Sequence, residues 1–238
     1  TGFLLLFLKI VKLTTLEKSN LIQQKLKHML EGSEKMKLIM ENWKSFLLEN
    51  KKQEIRDLRY GEIKSNKYKK RLSQETKIID VELSDIPITK HPPNDSEAVK
   101  TELKKVLSSM SNNRELSKKE LEKTDKKPKQ MFTKYLKDND LEFDKEFIDD
   151  LVTDVAIISL KLKVRYNRPR PEQLGHLVGY DVRSIKTETD DTPSYPSGHT
   201  AQAWTVAYYL ADKFPDHKDE LYAIAEKIEN SRIVRGAH

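Results

Sequence analysis

Apolar residues recur at three- and four-residue steps through long, highly charged stretches of this chain, and that spacing constrains its fold more than any other feature. It places the apolar side chains on one face of an α-helix. The spacing occupies residues 15–60 and returns in residues 143–167, where the shared face consists of Phe147, Leu151, Val155, Ile158 and Leu162. The pattern predicts an all-α helical bundle that is preceded by a helical N-terminal region.

Composition narrows the class of protein. The 238 residues include 44 Lys and Arg, 38 Asp and Glu and no Cys, which excludes disulfide scaffolds, thiolate metal sites and cysteine nucleophiles. Residues 51–75 contain nine basic and four acidic residues, so most of the net charge of +6 lies there. Because the rest of the chain is nearly neutral, the sequence does not favour nucleic acid as a partner. The basic stretch is either a solvated surface or a contact for a phosphate-rich or membrane surface.

A domain boundary is predicted at residues 91–95, where the sequence His-Pro-Pro-Asn-Asp breaks the preceding pattern. It separates residues 1–95, a helical and basic region without a recognisable role, from residues 96–238, in which Ser96 is placed to cap the first helix. Before the boundary, β-branched residues in partial alternation indicate a short strand or an extended piece at 77–90.

Residues 3–13 (FLLLFLKIVKL) are apolar apart from two lysines, but about 18 apolar residues are needed to cross a bilayer. The segment is therefore the end of a longer signal or membrane segment, a buried helix or an interfacial helix. It is the candidate for membrane contact. The charged helices favour a soluble protein, either periplasmic or membrane-associated, and the sequence leaves the compartment and the oligomeric state open.

The first of three segments suited to phosphate chemistry ends a predicted helix. Lys161 and Arg168 lie seven residues apart, which is two helical turns, so their side chains share a helix face just before Pro169. Cations at the C-terminal end of a helix also complement the helix dipole. By itself this segment favours a solvated basic face.

The second segment, residues 194–200 (SYPSGHT), opens an apolar-periodic helix with small residues. Free backbone N–H groups and the helix dipole favour an anion at such an N-terminus. Ser197 adds a hydroxyl donor, Gly198 permits close approach of a ligand to the backbone, and His199 can deliver a proton. The alternative is an ordinary capped helix with an incidental histidine.

The third segment, residues 231–238 (SRIVRGAH), brings guanidinium groups and an imidazole to one helix end. Arg232 and Arg235 are neighbours on a helix surface, and Gly236 is a natural helix stop that leaves His238 just beyond the end. A neutral imidazole beside guanidinium groups suits nucleophilic attack on phosphorus. The alternative is a structural or solvated histidine.

Together the three segments resemble a known signature. Lys161-x6-Arg168-Pro169, then Pro196-Ser197-Gly198-His199, then Ser231-Arg232-x5-His238 are similar in order and spacing to the tripartite motif of the type-2 phosphatidic acid phosphatase superfamily. That superfamily includes class A acid phosphatases and vanadium haloperoxidases. The likeness covers roughly residues 131–238 and implies the helical bundle of those enzymes, whereas the first 95 residues have no part in it.

The resemblance implies a metal-independent phosphoric monoester hydrolase that acts on phosphorylated small molecules. In that scheme His238 is the nucleophile that forms a phosphohistidine, and His199 protonates the leaving alcohol. The residues that hold the phosphoryl oxygens are then Lys161, Arg168, Ser197, Gly198 and Arg232. No metal or cofactor is implied, apart from vanadate in the alternative of a vanadium-dependent haloperoxidase. A non-catalytic helical interaction protein is the third hypothesis.

The sequence departs from the family pattern at its end. The pattern continues after the third histidine with three residues and an Asp that orients the imidazole, but this sequence stops at His238. Loss of an orienting Asp costs about 10⁴-fold in rate in a catalytic triad. We therefore interpret the sequence, which also begins with Thr1 instead of Met, as a fragment, and we expect the natural chain to supply that Asp.

Overall fold

Helices dominate the computed structural model, which describes residues 34–113, 121, 128–186 and 190–238. Within these residues no β-strand is present, and the all-α prediction is confirmed. Two short 3₁₀ turns occur at His176–Val178 and Pro215–His217. The α-helices are α1 (Glu34–Asp57), α2 (Asn66–Leu72), α3 (Glu97–Asn112), α4 (Pro128–Asp138), α5 (Lys145–Tyr166), α6 (Pro171–Gly175), α7 (Gly198–Lys213) and α8 (Lys218–Val234).

Two helices begin at residues whose side chains cap them. The Ser96 hydroxyl accepts a hydrogen bond from the Val99 N–H at 3.3 Å, as the sequence predicted for the start of α3. The Asp144 carboxylate accepts one from the Phe147 N–H at 3.0 Å and begins α5. Such caps satisfy backbone donors that have no partner within the helix. At its other end α5 stops at Asn167, whose φ of 45° is left-handed.

The main core lies between α4, α5, α7 and α8. Helix α5 is central to the unit. In its second half Ile157 and Leu160 are buried as well as Leu162, so this part of the helix is buried on more than the one face that the sequence predicted. Burial of these apolar side chains is the main favourable term in the folding of such a unit. The fully or nearly fully buried core residues are Phe132, Leu136, Ile148, Leu151, Ala203, Val206, Ala207, Leu210, Ala211, Leu221, Ala225 and Ile228.

Residues 77–90 form no strand. Their first backbone N–H groups bond instead to the buried carboxylate of Asp154 on α5, which accepts from Lys77, Ile78 and Ile79 at 2.7–2.9 Å. Because one side chain satisfies three successive donors, this segment needs no neighbouring strand. The carboxylate fixes the segment against α5.

The chain divides into two compact units, residues 1–53 and residues 54–238. This division differs from the boundary expected at residues 91–95. The proline-rich stretch is a turn inside the second unit, since the Asn94 amide donates to the main-chain oxygens of Ile55 and Leu58 at 3.0 and 2.9 Å. In the first unit, the rings of Trp43 and Phe46 on α1 meet edge to face at 5.7 Å.

No helix in the described ranges combines the length and the apolar character required to cross a membrane. Residues 3–13, the candidate for membrane contact, lie outside those ranges.

Candidate active site

The C-terminal end of α5 contributes a buried lysine to the site. Lys163 is 6% exposed, and its ammonium group donates to the main-chain oxygen of Pro193 at 2.5 Å. Pro193 lies in the loop that leads into α7. The contact therefore joins the first motif segment to the second.

Arg170, just before α6, joins the first segment to the third. Its Nε donates to the main-chain oxygen of Thr192 and its Nη1 to that of Ala237, both at 2.9 Å. The same Nη1 lies 3.2 Å from the carboxylate of Asp190. Arg170 is 5% exposed, so the guanidinium is held from several directions in a buried position.

The end of α8 determines where His238 lies. Gly236 has φ of +72°, and its N–H bonds to the Ile233 oxygen at 2.9 Å, while the Ala237 N–H bonds to the Arg232 oxygen at 3.0 Å. This pair of bonds is the glycine-terminated helix end known as a Schellman motif. The Ser184 hydroxyl also donates to the Gly236 oxygen at 2.7 Å. These bonds fix the main chain that leads to His238.

The start of α7 lies against α5. The Ser194 hydroxyl donates to the main-chain oxygen of Pro169 at 2.8 Å, and the Thr200 hydroxyl donates to the hydroxyl oxygen of Ser197 at 2.9 Å. A methyl group added at Gly198 would lie 3.9 Å from the Lys163 side chain. The N-terminus of α7, whose N–H groups favour anions, is therefore next to a buried cation.

The pKa of His238 reflects its burial and the positive side chains near it. Burial lowers the pKa of its imidazole well below the ordinary value, and the nearby positive charges of Lys163, Arg170 and Arg232, followed by His199, lower it further. The pKa of Lys163 is also well below its usual range, first because of burial and then because of Arg170 and Arg232, whereas Asp190 opposes this shift. A neutral imidazole therefore lies within a strongly positive surrounding.

His238 and Arg232 line a cavity of about 330 Å³, whereas Lys163, Arg170 and His199 are not among its lining residues. Its polar side includes Arg168, Ser197, Thr200, Arg232 and His238. Its apolar side comes mainly from α3, α6 and the last turns of α8, namely Val99, Leu103, Val106, Pro171, Leu174 and Ile233. The arrangement can hold a tetrahedral oxyanion at the cationic end and an organic group against the apolar wall.

Comparisons with known proteins match the C-terminal part of the chain, which supplies His199 and His238. The family model of the PAP2 superfamily matches residues 151–238. This C-terminal part of the chain, called the PAP2 segment below, is therefore similar to the PAP2 superfamily. The match begins within α5 and is shorter than the range of 131–238 expected from the motifs. It includes the motif cations and both imidazoles of the site, whereas α3, which contributes Lys105 to the cavity, lies before it.

Two curated proteins resemble part of this chain. An acid phosphatase from Zymomonas mobilis subsp. mobilis is 40% identical over 83 residues, and a non-specific acid phosphatase from Providencia stuartii is 28% identical over 98 residues. These matches cover 33% and 39% of this chain. They cover 29% and 38% of the relatives, so the chain spans about a third of the length of either.

The structure brings several predicted residues of the PAP2 segment together. Arg232 and His238 line the cavity with Ser197, and His199 is close enough to affect the His238 pKa. Gly198 lies beside Lys163 at the start of α7. Their roles in binding and catalysis remain predictions.

Arg168 and Lys161, the other two cations predicted for the site, do not group with these residues in the same way. Arg168 lines the cavity, but its guanidinium forms an ion pair with Glu102 of α3 and lies 6.0 Å from the centre of the Tyr195 ring. Lys161 is neither a cavity-lining residue nor one of the charges that shift the His238 pKa. Lys163 and Arg170 lower the His238 pKa together with Arg232, although neither of the two is a cavity-lining residue.

The cause of this difference is a repeat in the sequence. Lys163-x6-Arg170-Pro171 has the same spacing as Lys161-x6-Arg168-Pro169, offset by two residues. Spacing alone could not choose between them. The sequence does contain a pattern that distinguishes the two lysines. Lys163 follows Leu151, Val155 and Ser159 at four-residue steps, and this row forms a buried face of α5.

Sequence reasoning also missed Asp190 as part of the site. Its carboxylate lies between two buried guanidinium groups, those of Arg170 and Arg235. In the sequence it is one of two adjacent acidic residues in a loop, and Asp191 is exposed. Nothing in that local pattern distinguishes the buried carboxylate from the solvated one.

Proposed function

We propose that the protein is a phosphatase that hydrolyses phosphoric monoesters of small molecules at the cavity beside His238. The observation that carries the proposal is that His238 and Arg232 line one cavity, while Arg170 donates to the main-chain oxygen of the residue directly before His238. Phosphoryl transfer requires mainly in-line positioning and neutralisation of charge on the equatorial oxygens. The acid phosphatase relatives support the same reaction class.

The proposed reaction has two displacement steps. In the first, a ring nitrogen of His238 attacks phosphorus, a P–N bond forms, and the ester P–O bond breaks. The leaving oxygen takes a proton from His199 and departs as an alcohol. In the second, water attacks phosphorus, the P–N bond breaks, and His199 takes a proton from the water. Inorganic phosphate leaves, and both imidazoles return to their starting states.

The proposed phosphate-binding cations are not the pair assigned from the motif. They are the Lys–Arg pair that lies two residues further along the chain. Lys163 and Arg170 replace Lys161 and Arg168 as ligands of the phosphoryl oxygens, because they are the cations buried next to His238. Arg232 and the N-terminus of α7, with Ser197 and the Gly198 N–H, complete the set. Preorganised donors of this kind are typically the largest contribution to catalysis of such reactions.

The test uses p-nitrophenyl phosphate and the full-length protein. His238→Ala and His199→Ala should each lower kcat by at least about 10³-fold, as expected for residues that act as a catalytic unit. His176→Ala, which removes an exposed imidazole on the surface of the same unit, is the matched control and should leave kcat unchanged. Full activity of His238→Ala would contradict the proposal.

Further measurements test the phosphohistidine intermediate, the metal independence and the haloperoxidase alternative one by one. Rapid quenching in base with labelled substrate should trap a phosphoryl group on the His199→Ala protein and not on the His238→Ala protein. Vanadate should inhibit competitively, and EDTA should have no effect. Inhibition by EDTA with rescue by a divalent metal would contradict metal independence, and halide-dependent peroxide turnover with added vanadate would favour the haloperoxidase alternative.

A further inference from the structure

We infer that Asp190 is a positioning residue that holds Arg170 in its binding orientation and offsets the buried charge of Arg235. The inference rests on the proposed phosphatase function and concerns a residue outside the three motif segments. It follows from the contacts of Asp190, from the charge of the site, and from the way that its main chain is fixed.

The contacts place one carboxylate between two guanidinium groups. An oxygen of Asp190 lies 3.2 Å from Arg170 Nη1 and forms a second, shorter ion pair with Arg235. All three side chains are buried, with residue exposures of 9% for Asp190, 5% for Arg170 and 0% for Arg235. An ion pair removed from water in this way is strongly directional, because each group needs its partner to offset lost hydration.

The orientation of Arg170 depends on this carboxylate. It also donates to the main-chain oxygens of Thr192 and Ala237, which lie before α7 and directly before His238, and to the Thr192 hydroxyl. These acceptors are neutral, so Asp190 is the charged partner of Arg170 among the contacts that the structure gives. Without that charge, repulsion from the neighbouring cations would turn the guanidinium away from them.

The charge of the site also requires a counter-ion. In the described part of the chain, the buried cations are Lys163, Arg170, Arg232 and Arg235, and the buried acidic residues are Asp154 and Asp190. Asp154 is engaged with the main chain of residues 77–79. Asp190 is therefore the carboxylate that stabilises the cations before a phosphate group arrives.

The segment between α1 and α2 fixes Asp190 from outside. The Tyr60 hydroxyl donates to the main-chain oxygen of Asp190 at 3.0 Å, and the Tyr60 N–H bonds to the main-chain oxygen of Asn167 at the end of α5. The loop that contains Asp190 is thus tied to the helix that supplies Lys163. A carboxylate held on both its side chain and its main chain can define the position of a guanidinium.

The expected kinetic effect distinguishes positioning from simple loss of folded protein. Asp190→Asn removes one negative charge, so the site becomes more positive and its affinity for inorganic phosphate should remain within threefold of the parent value. Because Arg170 no longer meets the transition state correctly, kcat should fall at least fivefold, and vanadate should bind at least fivefold more weakly. A smaller folded fraction would lower kcat without changing either dissociation constant.

The experiment compares the full-length parent with Asp190→Asn and with Asp191→Asn, which removes the adjacent exposed carboxylate. Hydrolysis of p-nitrophenyl phosphate gives kcat, and calorimetry with phosphate and with vanadate gives the dissociation constants. Asp191→Asn should match the parent in all three. A loss of less than fivefold in Asp190→Asn, or an equal loss in Asp191→Asn, would overturn the inference.

A double variant covers the case in which Asp190→Asn does not fold. Asp190→Asn with Arg235→Met removes the ion pair as a whole and leaves the net charge of the site unchanged. Arg170 still lacks its carboxylate there, so kcat should remain at least fivefold below the parent. Recovery of parental kcat would overturn the inference, and so would failure of both variants to fold, since Asp190 would then serve folding alone.

Failure of the proposed function gives a different result. A parent protein that binds vanadate but hydrolyses no phosphate ester would contradict the phosphatase proposal, and the role of Asp190 would be decided by the vanadate affinities of the variants. A parent that binds neither oxyanion would overturn both.

Discussion

The guanidinium of Arg170 donates to the main-chain oxygen of Ala237 at 2.9 Å, so a cation of the first segment holds the residue directly before His238. Lys163 makes the corresponding contact with Pro193, three residues before the second motif begins. The cations proposed to bind phosphate therefore also join the segments that form the site. Groups fixed in this way need little rearrangement when a ligand arrives, which is the condition for effective electrostatic catalysis.

Replacing Lys163 should be far more harmful than replacing Lys161. Lys163→Met removes a buried cation and keeps most of the apolar stem, so we expect kcat/KM to fall at least about 100-fold, the typical loss for one oxyanion donor. Lys161→Met removes a charge two residues away, and we expect a change of less than threefold. Steady-state kinetics of the two variants measure the difference. A larger loss in Lys161→Met than in Lys163→Met would instead support Lys161 as the phosphate-binding lysine.

Gly236→Ala should disturb both stability and catalysis. Its φ of +72° is unfavourable for alanine, and the new methyl group would lie 2.9 Å from the Met110 sulfur and 3.3 Å from the Ser184 Cα. We expect a loss of about 2–3 kcal/mol in the free energy of unfolding, from backbone strain and crowding together. We also expect a lower kcat, because His238 follows two residues later.

Gly179→Ala is the matched control for that change. Gly179 also has a positive φ, of +91°, but a methyl group there meets no atom within 4 Å. Its cost should be the backbone strain alone, about 1 kcal/mol, with kcat unchanged. Urea denaturation and kinetics measure both quantities, and equal effects of the two substitutions would show that the packing around Gly236 is unimportant.

Asp154→Asn should destabilise the attachment of residues 77–79 to α5. Burial raises the pKa of Asp154, but the N–H groups of Ile78, Ile79 and Lys77 outweigh it, and the net pKa is lower than usual. Loss of these charge-assisted bonds should reduce the free energy of unfolding by about 3 kcal/mol at neutral pH. Asp150→Asn, which removes only an exposed ion pair with Lys77, should change it little.

The effect of Asp154 should also depend on pH in one direction. A carboxylate with a lowered pKa in the folded state stabilises the fold fully above its unfolded pKa of about 3.9. That contribution is lost as the pH falls through the folded pKa. The difference between the parent and Asp154→Asn in urea denaturation should therefore shrink in strong acid, and a constant difference would contradict the ionic character of the contact.

The imidazole of His238 should titrate below the ordinary histidine range. Its pKa is lowered by burial and by Lys163, Arg170 and Arg232, so the unfolded chain binds more protons than the folded one just below pH 6.5. With respect to this group, the free energy of unfolding is therefore highest above about pH 6.5, and it decreases as the pH falls from there to the folded pKa. Histidine-labelled NMR spectra should contain one strongly acid-shifted titration that disappears in His238→Gln. Its appearance at or above pH 6.5 would contradict the buried, cation-rich environment.

Local sequence is enough to predict the helical class, the start of α3 at Ser96 and the three segments that resemble the phosphatase motifs. These features are local: periodic burial, a capping side chain and the short spacing between functional groups can all be read along one stretch of chain. The family match to residues 151–238 confirms the resemblance that they indicated.

Contacts between distant segments determine which of two equally spaced Lys–Arg pairs lies near His238, and they place Asp190 between Arg170 and Arg235. They also place residues 54–95 in the same unit as the site. The physical reason is that burial and charge pairing depend on neighbours far away in the chain. Lys161 and Lys163 have nearly the same local sequence, and the packing of α5 against the loop at Pro193 buries one of them against the site.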